Sequence, residues 1–217
     1  MKKYESYKCS KCGNVVEVSN VGGGTLVCCG QDMDCITENL TMVNLLKAFA
    51  GESMARNKYE FYAKVAQKEG FRDIARHFQR AANNEIQHAK LELKMHNMMK
   101  NGTEFGDTLA NLQDAINGES YENLTMYPEF EAVAKAEGNK EAARMFAAIG
   151  KVEVEHEAMY KELLERLKEK QEFVSVDGEE EWICEVCGHV HRGKKPPKSC
   201  PVCKHPQEYF SRLNTKQ

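Results

Sequence analysis

Between residues 39 and 170 this chain repeats itself. Gly51-Glu52-Ser53 returns as Gly118-Glu119-Ser120, Lys68-Glu69-Gly70 is echoed by Ala136-Glu137-Gly138, and Glu85-Ile86-Gln87-His88 by Glu153-Val154-Glu155-His156, at an offset of 67 or 68 residues each time. Leu45, Phe49, Glu52, Arg56 and Tyr59 recur at alternating spacings of four and three, as do Phe146, Ile149, Glu153, His156, Tyr160, Leu163 and Leu167. That spacing predicts amphipathic helices. Breaks at Gly70, at Gly102 to Gly106 and at Gly138 divide the region into four of them, each about 40 Å long. Two copies of a helical hairpin packed about a pseudo-twofold axis predict a mainly α fold, a four-helix bundle with equivalent residues facing one another at its centre.

What the copies bring there is unusual. Glu52 interrupts an apolar stripe with Phe49 and Tyr59, Glu85 and His88 share one with Ile74, Phe78 and Ala81, and Glu153 and His156 interrupt the stripe on the last helix. Glu119 and Glu122, three apart, add two carboxylates on the third helix. A single glutamate on a helix is ordinary surface. Two Glu-x-x-His pairs in register, with glutamates on both other helices, are not, because five buried carboxylates would repel one another and lose their hydration. Metal resolves the conflict: one Glu from each of two helices plus Glu-x-x-His from the other two is the recipe for a two-metal carboxylate site. Carboxylates with imidazoles suit iron or manganese better than a thiolate-preferring metal. Five glutamates leave the same formal charge with two ferrous ions as with two ferric ions and an oxo bridge, which favours a redox role. Glu122 breaks the symmetry, its equivalent in the first copy being Ala55, and so predicts a ligand that one metal can exchange; the alternative is a glutamate beside the ligands. Tyr59 and Tyr127 are placed to donate phenolic hydrogen bonds to the carboxylates.

The nine cysteines stand only at the two ends. No stretch approaches the roughly 20 apolar residues of a membrane span, and cysteines occupy the place where a signal peptide would need an apolar run, so the chain is expected in the cytoplasm. There, an odd number of cysteines points to metal rather than disulfides. Cys184-x-x-Cys187 and Cys200-x-x-Cys203 form a four-cysteine site whose spacing fits structural zinc as well as iron. Cys9, Cys12, Cys28 and Cys29 form another, in which adjacent cysteines are expected to open the sulfur–metal–sulfur angle and so to tune an iron differently. Cys35 is left over as a buried or inert thiol rather than a fifth ligand, and His189, His191 and His205 are expected at the surface. A net charge of −3 gives no basic field for nucleic acid or anionic membrane. The organisation read from this is a β-rich four-cysteine module over 1–38, the helical bundle over 39–170, an acidic tether over 171–180 that is flexible unless docked, and a second four-cysteine module over 181–217.

The segments AFAGESMARNKYEFYA, EIQH, INGESYENLTMYPEF and EVEH, followed by the closely spaced cysteines, resemble rubrerythrin over about residues 41 to 210, and YKCSKCGNVVEV with LVCCGQDM resembles desulforedoxin. Together they resemble the desulforubrerythrins. The resemblance implies a ferritin-like bundle between desulforedoxin-like and rubredoxin-like modules, and a non-haem di-iron peroxidase that reduces hydrogen peroxide to water in oxidative-stress defence. It implies a bridged di-iron centre held by Glu52, Glu85, His88, Glu119, Glu122, Glu153 and His156, with Glu122 and His88 exchanging at one iron. It further implies two mononuclear irons, at Cys9, Cys12, Cys28 and Cys29 and at Cys184, Cys187, Cys200 and Cys203, which recombinant protein can hold as zinc. Electrons would come from an NADH-dependent rubredoxin or flavoprotein reductase, within a head-to-tail homodimer or homotetramer. Ferritin-like iron storage is the competing reading. A superoxide reductase reading lacks the histidine cluster and cysteine of the desulfoferrodoxin catalytic domain.

Overall fold

The structure, a computed structural model, describes residues 1–169, 173–175 and 178–213. It divides into two compact units, Met1–Phe105 and Gly106–Gln217. All nine cysteines are free thiols, and among the described residues no helix is long and apolar enough to cross a membrane.

The first unit begins with five short strands: β1 (Ser6–Lys8), β2 (Val15–Glu17), β3 (Val27–Cys28), β4 (Gln31–Asp32) and β5 (Asp34–Cys35). One antiparallel sheet has the order β2-β1-β5, with Tyr7 opposite both Val16 and Cys35, and β3 pairs with β4 as a separate hairpin. Two helices follow, α1 (Leu40–Lys68) and α2 (Arg72–Asn101). Asn39 starts α1 by accepting the Met42 amide at 3.2 Å, a cap whose loss costs about 1 kcal/mol. Ala63 and Ala66 of α1 and Ala75, Ala82 and Ala89 of α2 are buried. Side chains this small let the two backbones approach closely.

The second unit repeats that hairpin with one change. Its helices are α3 (Thr108–Tyr121), α4 (Tyr127–Ala136) and α5 (Lys140–Lys168), and a π-helical turn, Glu122–Met126, joins α3 to α4. The repeat survives in the hydrogen bonds of the hairpin bends. Phe71 N–H bonds to the Ala66 carbonyl at 2.8 Å and Gly70 N–H to Gln67 at 3.1 Å; Asn139 bonds to Ala134 at 2.9 Å and Gly138 to Lys135 at 3.1 Å. Gly70 and Gly138 stand at φ 89° and 77°, where a Cβ would be strained. It survives in the rings as well: Tyr59, Tyr62 and Phe78 form a cluster with centroids 5.5 to 6.4 Å apart, and Tyr127, Phe130 and Phe146 form its counterpart at 5.6 to 6.4 Å.

The chain then forms β6 (Glu180–Cys184), β7 (Val190–Gly193) and β8 (Phe210–Arg212), in the antiparallel order β7-β6-β8. Trp182, Cys184, Cys200 and Phe210 make its core, and Phe173 packs against it. Ser175 N–H bonds to the Lys194 carbonyl at 2.8 Å, and Arg212 donates to the Val174 carbonyl at 2.8 Å. Residues 173–175 of the expected tether are therefore docked on this module, while 170–172 and 176–177 lie outside the described residues.

Candidate metal centres

The two cysteine clusters are built alike. In each Cys-x-x-Cys arm the amide four residues after the first cysteine turns back to it: Gly13 to Cys9 at 2.9 Å, Gly188 to Cys184 at 2.8 Å and Lys204 to Cys200 at 3.0 Å. These turns need positive φ. Gly13 (78°) and Gly188 (74°) take it freely, and Lys204 takes it at 63°, at a cost of about 1 kcal/mol. Cys28 and Cys29 solve the problem of adjacency differently. Cys29 and Gly30 are the two central residues of the β3–β4 hairpin, at φ 54° and 73°, the pattern of a type I′ turn. Cys28 stays on the strand while the turn carries Cys29 round to the same point.

In both clusters the four sulfurs lie within 4.8 Å of one another. Cys12 to Cys28, Cys184 to Cys203 and Cys187 to Cys200 are each 3.6 Å, and Cys28 to Cys29 is 3.8 Å. A tetrahedron with metal–sulfur bonds of about 2.3 Å has edges of about 3.8 Å, so both clusters fit an ion held by four thiolates. The Cys28–Cys29 spacing equals that tetrahedral edge, so the sulfurs do not show the widening expected of the adjacent pair; the positive φ of Cys29 separates them instead. The thiols are also poised unequally. The Cys12 amide, working against burial, draws Cys9 down to about 7, while the sulfurs of Cys12 and Cys9 push Cys28 up to about 12. Although burial opposes it, the Cys203 and Val202 amides draw Cys200 down to about 6. Cys35 stands exposed on β5, outside its cluster. His189, His191 and His205, expected at the surface, are all half-buried, the His205 ring standing 5.0 Å from Tyr209.

Each helical hairpin gathers its own three-ligand group. In the first, donor atoms of Glu52, Glu85 and His88 lie within 4.8 Å of one another, and His88 Nδ1 is 2.7 Å from Glu85 Oε2. In the second the members are Glu119, Glu153 and His156, with His156 Nδ1 2.7 Å from Glu153 Oε2 and 3.7 Å from Glu119 Oε2. Glu153 is only 9% exposed. Burial, then the charge of Glu153, raises Glu119 above the usual carboxylate range. Carboxylates gathered and desolvated in this way are a destabilising arrangement that a cation reverses. With two imidazoles they are a hard donor set that fits iron.

Glu122 lies beside the second group, not inside it, and its charge acts on Glu119. It is also the first residue of the π-turn: the Tyr127 N–H bonds to the Glu122 carbonyl five residues back. The adjoining Pro128 lacks an N–H, and its ring would collide with the carbonyl four residues before it, which favours opening the helix at this point. Tyr127, at the end of this turn, lies where the charges of the ligands act on it. Burial first, then the charges of Glu122, Glu153 and Glu119, raises its phenol above the ordinary value. Gly150 on α5 makes room, since a Cβ there would lie 3.1 Å from Tyr127 Cβ; its equivalent in the first hairpin is Ala82. Tyr59, in the undistorted hairpin, packs on Phe78 with centroids 6.1 Å apart.

Two features escape the sequence reading above. The π-turn is one; its trace is the step in repeat offset from 67 at Gly118-Glu119-Ser120 to 68 from Ala136 onward, which places one inserted residue between them. The other is Glu92, whose Oε2 is buried without a partner among the described residues and whose carboxyl is raised by burial and then by Glu52. It follows His88 by four residues, a spacing that places it on the ligand face of α2.

Comparison with known proteins agrees with this geometry. The rubrerythrin family model matches residues 44–164, the desulfoferrodoxin N-terminal domain matches 1–36, and the rubredoxin-like domain of rubrerythrin matches 182–211. A putative rubrerythrin of Methanocaldococcus jannaschii is 43% identical over 186 residues, covering 78% of this chain and 91% of its own. The rubrerythrin of Nitratidesulfovibrio vulgaris is 36% identical, covering 83% and 98%. Desulfoferrodoxin of the same organism is 58% identical over 36 residues, or 17% of this chain and 29% of its own. A carboxylate-bridged di-iron helical protein carrying two four-cysteine iron modules is the class these features define. The chain belongs to the rubrerythrin family, with a desulforedoxin-like module at its start and a rubredoxin-like module near its end.

Proposed function

We propose that this chain is a hydrogen peroxide reductase, an iron-based oxidoreductase of oxidative-stress defence in the cytoplasm. The observation that carries the reading is the pair of Glu-x-x-His hairpins of which one has gained Glu122 at a π-turn, joined in one polypeptide to two four-thiolate sites. Each peroxide would take two electrons and two protons and leave as two waters.

When bound, the di-iron centre supplies two electrons and a Lewis-acidic seat for the peroxide oxygens. Glu52, Glu85, Glu119, Glu153, His88 and His156 would hold it. The protein's own part is protonation and positioning. Glu122, next to the Glu119–Glu153–His156 group, would carry a proton on a carboxylate oxygen, and Tyr127 would donate its phenolic hydrogen toward the same carboxylates. His88 and Glu122 would be the exchangeable ligands of the centre. The rubredoxin-like site would return electrons one at a time, replenished by a reductase that draws on NADH.

The test is stopped-flow oxidation of the anaerobically reduced, iron-analysed protein by stoichiometric hydrogen peroxide. Rapid return of the ferric-thiolate bands, with one peroxide consumed per two electrons, is the expected result. Slow return, together with accumulation of many irons per chain under air, would overturn it in favour of iron storage.

A further inference from the structure

We propose that Glu92 and His96 carry protons along α2 to the ligand group of the first hairpin, His96 taking them up near the end of the helix and Glu92 handing them on toward the carboxylate of Glu52. The inference rests on the proposed peroxide chemistry, in which each turnover draws two protons from water. Its own foundation is a row of titratable side chains that runs past the ligands on one helix and is cut short on its counterpart.

Glu85, His88, Glu92 and His96 follow one another on α2 at spacings of three, four and four. Residues so spaced share one face of a helix, with Cβ atoms about 5 to 6 Å apart. From His88 to His96 the row advances about 12 Å at roughly 1.5 Å per residue, and it ends five residues before Asn101, where α2 stops. On α5 the same row reads Glu153, His156, Tyr160 and Leu164, and Leu164, buried at 4% exposure, closes it with an aliphatic side chain that carries no proton. Beyond its ligand histidine, then, α2 adds a carboxyl and an imidazole where α5 adds a phenol and a hydrocarbon.

Both added groups are set up for transfer. Glu92 Oε2 is buried with no hydrogen-bond partner among the described residues, so it anchors nothing there. A buried carboxyl oxygen left unbonded is costly, and a proton or a passing water relieves it. Burial, then the charge of Glu52 on α1, favours its protonated form, against His88 on α2. His96 is 7% exposed, and a neighbour sets its tautomer. Asn97 Nδ2 donates to the Glu104 carbonyl at 2.9 Å, which leaves Asn97 Oδ1 for His96 Nδ1, 3.3 Å away. An amide oxygen only accepts, so Nδ1 carries the hydrogen and Nε2 keeps its lone pair. The turn that holds Asn97 is itself fixed: Lys94 pairs with the Glu104 carboxylate, and the Gly102 N–H returns to the Met98 carbonyl. His96 Nε2 takes a proton from water and yields it, one helical turn away, to Glu92 Oε2, directly or through a single water. Glu92 yields it toward Glu52, and two such transfers accompany the two electrons that turn one peroxide into two waters.

Infrared difference spectra of the iron-loaded protein, reduced minus oxidised, test the line without any peroxide. The expected result is a protonated-carboxyl stretch that changes with redox state and disappears in Glu92→Gln; a spectrum that the substitution leaves unchanged overturns the proposal. Glu92→Gln should also retain the bundle iron, and loss of that iron overturns it as well, by making Glu92 a metal ligand. In stopped flow with hydrogen peroxide, Glu92→Gln and His96→Leu, which copies Leu164, should each slow oxidation about 10-fold or more and enlarge the solvent deuterium isotope effect. His96→Gln separates transfer from structure, since it keeps a donor for Asn97 Oδ1 but cannot relay a proton. It should be as slow as His96→Leu, and a wild-type rate in it overturns the role of His96. Wild-type protein that shows the redox-sensitive carboxyl band yet consumes no peroxide would sink the proposed function and leave the proton line supported.

Discussion

In the first helical hairpin seven positions carry the chain from Glu52 to Tyr59; in the second, eight carry it from Glu119 to Tyr127. Around that difference the halves share the bonding of the bends at Gly70 and Gly138, the three-ring clusters, and the 2.7 Å Glu–His contacts. The extra position is absorbed in the π-turn from Glu122 to Met126, and Gly150 replaces the equivalent of Ala82 where Tyr127 crowds α5. The undistorted hairpin sets the buried carboxylate of Glu92 near its ligand Glu52. Its counterpart holds the same kinds of ligand and adds Glu122 at the π-turn, so the two sides are expected to offer different acid–base groups.

The comparison can be broken at four levels. The largest effect is expected where the halves are alike: Glu85→Ala and Glu153→Ala should each weaken iron binding at the bundle by about 100-fold or more while both thiolate irons remain, as measured by iron analysis with visible spectra. Markedly unequal losses would show that the halves hold their metals differently. Glu122→Ala should leave two bundle irons in place yet slow peroxide turnover by about 100-fold in stopped flow, and full turnover would remove Glu122 from the chemistry. Tyr127→Phe should cost roughly 3- to 10-fold in kcat and Tyr59→Phe less than about 3-fold, since the charges of three carboxylates act on Tyr127 and Glu122 has no counterpart beside Tyr59. Equal losses would erase the asymmetry.

The smallest effect concerns the metal-free protein. Burial and Glu153 hold the Glu119 pKa above its unfolded value, so in this window the folded chain binds more protons than the unfolded one. The contribution of Glu119 to stability is therefore present below the unfolded value near 4.5 and is lost as pH rises through the raised folded value. Glu119→Gln should remove that slope and narrow the melting-temperature gap between pH 5 and pH 8 in calorimetry of the apo-protein. An unchanged gap would show that Glu119 is not desolvated without metal.

Much of this was legible in the residues because the repeat acts as an internal control. Glu52, Glu85, His88, Glu119, Glu153 and His156 stand out since each occurs twice in register, and Glu122 because its counterpart is Ala55. The positive φ of Gly188 and the strain at Lys204 follow from the turns their cysteine arms make. What stayed hidden is nonlocal or depends on backbone detail. The step in offset marks an inserted residue, but whether a helix loops it out or opens into a π-turn depends on Pro128 and on the space that Gly150 leaves. Glu92 has no counterpart glutamate, its equivalent being Tyr160, so the repeat could not flag it. The modest spread of the Cys28 and Cys29 sulfurs was likewise unreadable, because adjacency in sequence fixes nothing about φ at Cys29.

The docking of residues 173–175 sets a kinetic property of the chain. Phe173, Val174 and Ser175 are fastened to the rubredoxin-like module, so only four backbone steps separate its anchored edge from Glu169 at the end of α5. Four steps reach about 14 Å at the most. A redox centre joined to the helix over so few residues meets any acceptor within that distance at an effective concentration of about millimolar or higher. Electron delivery to such an acceptor is then first order: it proceeds at the same rate per molecule in a dilute cuvette as in a crowded cell, and only the refilling of the thiolate iron by an outside reductase depends on concentration.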